Sequence, residues 1–144
     1  MLKEYYLVDY GHWQFPDEFE VDDWFGFIYR VTNISTDRQY IGRKQFHSHT
    51  RKIVKGRKNR KKVVKEGKWR EYTTSSRMIN EEIEQFGIDT FKFEIIKLCK
   101  TKGELSYYEA ETQWAEQVLI ARFDDGTPKY YNGNIGAIKF RPKL

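Results

Sequence analysis

Two short apolar runs, Gly26-Phe27-Ile28-Tyr29 and Tyr40-Ile41-Gly42, each carry a tyrosine and flank the polar stretch Asn33-Ile34-Ser35-Thr36-Asp37. Apolar and β-branched runs bounded by Asn, Ser and Asp predict two strands joined by a tight turn, a β-hairpin. A turn centred between Ile34 and Ser35 pairs residues whose numbers sum to 69, which sets Tyr29 opposite Tyr40 and Ile28 opposite Ile41. Side chains alternate faces along a strand, so the two isoleucines point to one side and the two phenols to the other. One face is expected to enter the core while the other presents a pair of hydroxyls.

The charge distribution narrows what such a hairpin could serve. From Arg43 to Arg70 the chain holds 13 of its 26 Lys and Arg but one of its 21 Asp and Glu, which leaves 20 acidic against 13 basic residues elsewhere, a net −7. A segment this basic inside an otherwise acidic chain is the electrostatic footprint of a polyanion partner, since each phosphate neutralised releases counterions. The bland alternative is a disordered, solubilising loop. Lys52-Ile53-Val54-Lys55 and Lys62-Val63-Val64-Lys65 interleave apolar residues with the charges and argue for at least partial order.

With 144 residues, 39% hydrophobic and 17% aromatic, the chain suits one domain with a real core. Residues 1–24 read as an extension rich in aromatic and acidic side chains, among them Trp13, Phe15, Phe19 and Trp24 with Asp17, Glu18, Asp22 and Asp23. Burial of the rings is the one large compensation for ordering it, so it is expected to pack on a domain spanning 25–144, with residues 43–70 as a basic insert. A rival role is an internal DNA mimic folded over that insert. The insert itself shows no sustained helical period, and its structure stays open.

Downstream, Thr74-Ser75-Ser76 precedes Met78, Ile79, Ile83 and Phe86, spaced for one apolar helix face, and Gly87 follows as a stop; a helix over 76–86 is predicted. Phe91-Lys92-Phe93-Glu94-Ile95 alternates apolar and charged, then Ile96 and Leu98 continue, giving a half-buried strand over 91–98. Thr101-Lys102-Gly103-Glu104 has capping-box spacing and opens a helix carrying Leu105, Tyr108, Thr112, Ala115 and Leu119. Ala137-Ile138-Lys139-Phe140 is a candidate edge strand. Strand, strand, helix, strand, helix predicts an α+β domain, a small antiparallel sheet flanked by helices.

Gly-Phe-Ile-Tyr and Tyr-Ile-Gly, followed by Ser75-Ser76, the apolar helix, Gly87, the strand from Phe91, then Leu105, Tyr108-Glu109 and Tyr131-Asn132, resemble the GIY-YIG nucleases over about residues 25 to 135. That family includes homing endonucleases, some restriction enzymes and the incision subunit of bacterial nucleotide excision repair, and the likeness is to its compact phage homing type. Two positions depart from the family pattern: Phe27 stands where the family has its first glycine, with Gly26 one place earlier, and Thr74 stands where phage members have a histidine.

The resemblance implies a metal-dependent DNA endonuclease acting on double-stranded DNA, with Mg2+ or Mn2+ as cofactor. It assigns the metal to the glutamate of the late helix. Glu109 and Glu111 both qualify and lie about 200° apart on a helical wheel, so one site cannot take both; Glu109, which follows Leu105 by one turn and shares the apolar flank of Tyr108, is chosen. The family's arginine follows its second glycine by eight or nine residues, a spacing met by Arg51, with Arg57 and Arg60 as fallbacks. By resemblance Tyr29 and Tyr40 enter the same site, one as proton acceptor for water and the other as a positioning donor, and Asn132 bridges to the metal helix. A phenol with pKa near 10 is a poor base without help, and Lys44, two residues past Gly42, is a candidate cationic neighbour; His47 and His49 are the histidines that could stand in for the missing one. Lys44, Arg51, Lys52, Lys55, Arg57, Lys58, Arg60, Lys61 and Lys62 are the expected DNA contacts.

His47-Ser48-His49 lacks further nearby zinc ligands and reads as a solvated loop, and the single cysteine, Cys99, excludes an internal disulfide and suits a reducing cytoplasm. No run of 18 apolar residues and no signal-peptide core are present, so a cytoplasmic protein of a bacterial or phage-infected cell, away from membranes, is expected. The rival from another class is a non-catalytic nucleic-acid-binding protein using the same basic insert; a further one is an RNA-binding accessory protein whose aromatics stack unpaired bases.

Overall fold

The computed structural model describes residues 9–52, 55–56, 58 and 61–136, with the backbone alone for 49–52 and 61–63. The elements are β1 (Trp13–Gln14), β2 (Gly26–Asn33), β3 (Gln39–Gln45), β4 (His47–Lys52), β5 (Lys61–Glu66), α1 (Arg77–Phe86), β6 (Phe91–Cys99) and α2 (Lys102–Ala115). They build an α+β domain around one four-stranded sheet of order β1-β6-β2-β3. β2 lies at its centre, antiparallel to both β3 and β6, while β1 adds to the far edge in parallel with β6.

The β2–β3 register differs from the expected one by two places. Tyr29 faces Gly42 and Tyr40 faces Val31, so paired numbers sum to 71 and the turn centres between Ser35 and Thr36. Asn33 is the cause: its side-chain oxygen accepts from the backbone N–H of Ser35 and Thr36, its own N–H reaches Arg38 O, and Asp37 closes the longer turn in the left-handed region at φ 63°. An even shift leaves every side chain on its face. The phenols of Tyr29 and Tyr40 therefore still share one face, as diagonal neighbours instead of opposite ones.

The aromatic face carries Trp13, Phe27, Tyr29, Val31, Phe93 and Ile95, and it is closed by Phe46, Trp69 and Ile79 of α1. Phe27, at the family's glycine position, fills the centre of this cluster, with Trp13 and Phe46 each 5.1 Å from its ring centroid. Gly26 is the residue without space for a side chain: a Cβ there would meet Lys44 O at 2.4 Å. The opposite face holds Ile28 and Ile41 against Leu105 of α2, Val118 and Cys99. The adjacent apolar residues Ile95 and Ile96 mark a bulge, since the β2–β6 register slips between Ile28 and Tyr29.

Both helices start on side-chain caps. Ser76 Oγ accepts from Ile79 N in α1, and Gly87 ends it at φ 97°; Thr101 Oγ1 accepts from Glu104 N in α2, while Glu104 Oε1 reaches back to Lys100 N. Two expected helix faces need correction. α1 meets the core through Ile79 and Ile83 only, with Met78 and Phe86 50% and 63% exposed. α2 stops at Ala115, Gln117 turns into the left-handed region at φ 53°, and Val118 is buried where Leu119 had been expected to pack.

The insert is a second, two-stranded sheet. β4 and β5 pair antiparallel from His47↔Glu66 to Lys52↔Lys61, and the base is fixed by Gly67 N→Phe46 O at 2.8 Å with Phe46 and Trp69 fully buried. Residues 9–24 lie along the aromatic face and end in a 3-10 turn, Val21–Asp23. The candidate strand 137–140 lies outside the described residues. Among the described residues no helix is long and apolar enough to cross a membrane.

Candidate active site at the edge strand

β3 is the exposed edge of the sheet, and its two faces reach solvent at one place. Tyr40, Gly42 and Lys44 belong to the aromatic face; Ile41 and Arg43 belong to the face covered by α2. After Gln39 N→Lys129 O and Tyr131 N→Gln39 O pair the returning chain with this edge, the ladder is continued by a side chain: Asn132 Oδ1 accepts from Ile41 N and its Nδ2 donates to Ile41 O. Gln113 Nε2 of α2 donates to the same carbonyl at 3.0 Å. One backbone carbonyl thereby ties together the edge strand, the returning chain and the helix. The cleft so framed is 490 Å3 in volume and is lined by Tyr40, Arg43, Tyr72, Arg77, Glu109 and Asn132 among others.

The floor of the cleft is phenolic. Tyr29 is fully buried, its hydroxyl 3.2 Å from Thr74 Oγ1 and 3.5 Å from the Tyr72 hydroxyl; burial first, then the neighbouring Tyr72, holds its pKa well above the ordinary phenol value. Tyr40 lies 6.1 Å from it, centroid to centroid, and is bonded to Ser75 Oγ at 2.9 Å. Burial raises the Tyr40 pKa too, against the lowering effect of Ser75. Lys44 Nζ sits 4.4 Å from the centroid of the Tyr72 ring.

The wall is acidic and basic at once. Glu109, with its side chain 15% exposed, faces Arg43 at 3.6 Å, and Arg43 is also bonded to Ser106 Oγ one turn earlier on α2. Burial pushes the Glu109 carboxyl up, with Arg43 opposing in part, so the site holds a carboxylate whose charge is incompletely compensated. Among the described residues no three His, Cys, Asp or Glu converge. Glu109 is the one carboxylate among the described lining residues of the cleft, and it could hold a hard ion of the Mg2+ or Mn2+ kind, which is commonly bound by one or two carboxylates with water and substrate phosphate oxygens completing the shell. Glu111, on the far side of the helix, is exposed and interacts with the exposed Tyr107 phenol.

A larger cleft, 670 Å3, runs over Phe15, Phe19 and Trp24, but Asp17, Glu18, Glu20 and Asp23 line it and would repel phosphate. The edge-strand cleft, by contrast, has Arg43 and Arg77 among its lining residues.

A family model described as "Putative endonuclease segE, GIY-YIG domain" matches residues 11–135. The chain belongs to the SegE GIY-YIG family. No curated protein and no solved structure matches it. Membership makes it a protein of nuclease type, with nucleic acid as the implied substrate. The match begins at residue 11 and so takes in β1, whose Trp13 is part of the core.

Against that family pattern, the structure brings Tyr40, Glu109 and Asn132 to one cleft, with Gly42 and Lys44 on the strand beneath it and Tyr29 behind. Asn132 bonds to the edge strand and reaches α2 only through the carbonyl it shares with Gln113. Arg51, Lys52, Lys61 and Lys62 lie on the β4–β5 arm, with Arg51 paired to Lys62 and Lys52 to Lys61. Lys55 and Lys58 are exposed beyond it, and Arg57 and Arg60 lie outside the described residues. His47 is bonded to Asp22 Oδ1, 3.2 Å distant, and does not line the cleft; His49 lies on β4, its side chain outside the described residues.

Arg43, Tyr72, Arg77 and Gln113 of the cleft were not singled out from the sequence, and Ser75 was read only as part of the helix start and of the resemblance. Arg43 carried a usable signal, since it alternates with Ile41 and so faces the glutamate helix. Tyr72 carried none, because it reaches the site from an irregular segment after Trp69.

Proposed function

We propose that this protein is a divalent-metal-dependent endonuclease that hydrolyses phosphodiester bonds of double-stranded DNA in the edge-strand cleft. The observation that carries this reading is the pairing of the largely buried Glu109 carboxylate with Arg43 beside the phenol of Tyr40. Hydrolysis needs charge stabilisation on the phosphate, a place for the proton of water and help for the leaving oxygen. Arg43 and Arg77 supply positive charge at the cleft itself, and Arg51, carried over from the family, is proposed as a further phosphate ligand delivered by the arm. Glu109 would hold Mg2+ or Mn2+; when bound, such an ion supplies Lewis-acid charge and an acidified water.

Tyr40 donates to a phosphate or water oxygen, a role suited to a phenol kept protonated by burial. Asn132 and Gln113 hold β3 against α2, so that Tyr40 and Glu109 approach from the two faces at fixed separation. The lysines and arginines of the arm would track the duplex backbone, giving affinity with little sequence information. A cytoplasmic setting suits that substrate.

Nicking of supercoiled plasmid with added Mg2+, and with chelator in its place, tests the reading. Conversion to open-circular or linear DNA that requires the metal and is lost in Glu109→Ala is expected. Retention of duplex binding without cleavage in any divalent metal would favour the non-catalytic binding protein.

A further inference from the structure

Tyr29 and Tyr40 meet at Gly42, Tyr72 packs against Tyr29, and the surroundings of the three phenols differ. Tyr29 is enclosed, and Tyr40 is already bonded to Ser75 Oγ. Tyr72 lines the cleft and has the Lys44 ammonium against its ring, 4.4 Å from the centroid, and the Tyr29 hydroxyl 3.5 Å from its own. We propose that Tyr72 is a catalytic residue of this cleft, the group that accepts the proton of the attacking water. The proposal rests on the nuclease reading above.

A cation over an aromatic face attracts a phenolate more strongly than a phenol. Tyr29 adds a second contribution: held protonated by burial, its O–H can donate to the Tyr72 oxygen and stabilise the anion. Tyr72 enters the step as the phenolate, its own proton already given to solvent. The water O–H bond breaks and the water's proton passes to Tyr72 Oη, restoring the phenol, as the water oxygen bonds to phosphorus. The bond from phosphorus to the leaving sugar oxygen breaks, and that oxygen takes a proton from solvent.

The tyrosine is held for such a task. Its N–H reaches Lys68 O and Trp69 O at 3.2 and 3.3 Å, one turn from the fully buried Trp69 indole. Its own carbonyl accepts from His12 Nε2 at 2.7 Å, and burial pushes the His12 pKa down, favouring the neutral ring. Lys44 of β3 lies against the Tyr72 ring, the Tyr29 hydroxyl of β2 against its own and His12 on its carbonyl, while the charged and titratable groups that line the cleft with it are Tyr40 and Arg43 of β3, Arg77 of α1, Glu109 of α2 and Tyr131 of the returning chain.

The test uses the full chain with Tyr72→Phe, and with 3-fluorotyrosine, a more acidic phenol, placed at position 72. Single-turnover nicking of supercoiled plasmid is followed across pH in the metal that supports the wild type, and duplex binding is measured alongside. Tyr72→Phe is expected to lower the rate by about 10²–10⁴-fold with binding unchanged. The fluorinated chain should move the rising limb of its pH–rate profile to lower pH, which a packing role would not do. A Tyr72→Phe rate close to wild type, or a limb that stays in place, overturns the assignment and leaves the nuclease reading standing. A wild type that never nicks DNA takes both down.

Discussion

Gly42 lies directly opposite Tyr29 in the β2–β3 ladder, and a Cβ there would stand 2.5 Å from the Cζ and hydroxyl of the Tyr29 ring. The glycine of Tyr-Ile-Gly is thus required by the tyrosine of the preceding strand, whose ring crosses the space a side chain would take. Because that ring is fully buried among Trp13, Phe27 and Tyr72, it has nowhere to retreat. Gly42→Ala should destabilise the fold by about 1–3 kcal/mol, the usual range for overpacking a core. Urea unfolding measures it; an unchanged midpoint would mean that the ring yields freely.

Glu109 and Glu111 provide an internal comparison on one helix. Glu109→Ala should abolish nicking with duplex binding nearly intact, because it removes the proposed metal ligand and none of the arm's charges. Glu111→Ala, exposed on the opposite side, should be mild. The reverse result, read from the same plasmid assay, would move the site half a turn along α2.

The raised pKa of Glu109 also has a stability consequence. A carboxyl held above its ordinary value by burial favours the protonated state when folded, so its charge opposes folding increasingly as pH rises from the ordinary carboxylate pKa through the raised one. Glu109→Gln should therefore unfold at higher urea than wild type at neutral pH. That difference should vanish below the ordinary carboxylate pKa, where the wild-type residue is neutral in both states.

Glu116 behaves in the opposite sense. Burial pushes its carboxyl up, but the two-pronged bond from Arg30, both contacts 2.6 Å, and the Tyr130 hydroxyl at 2.7 Å outweigh burial and leave the pKa lowered. This stabilisation is complete above the ordinary carboxylate pKa and is lost as pH falls through the depressed one. Glu116→Gln should cost about 1–2 kcal/mol at neutral pH, given side chains about a quarter exposed. In acid the two chains should converge in urea unfolding.

The arm is testable through salt. If about five of its cations neutralise phosphates, log K for duplex DNA should fall against log salt with a slope near −4 to −5, about 0.9 per contact. Changing Arg57, Lys58, Arg60, Lys61 and Lys62 together to Gln should flatten that slope by several units on all sequences alike. Folding should be spared, since the core anchors of the insert are Phe46 and Trp69 at its base. An unchanged slope would remove the arm from the binding surface.

What local chemistry encodes, the sequence by itself determined. The caps Ser76 and Thr101, the stop at Gly87, the alternation from Phe91 to Ile95 and the sharing of a face by Tyr29 and Tyr40 all depend on neighbours within a few residues. The shared face survived a wrong register because a strand's side-chain period is two, and the error was also two. Tertiary structure alone decided the rest. It enclosed Tyr29, carried β4 and β5 into a separate sheet, and brought Tyr72 beneath Lys44 from a segment with no period of its own. It also set Arg43 and Glu109 opposite Tyr40 around the edge of β3. Those placements depend on which distant surfaces fill the space beside the sheet, and packing between residues far apart in the chain leaves no spacing in the sequence to read.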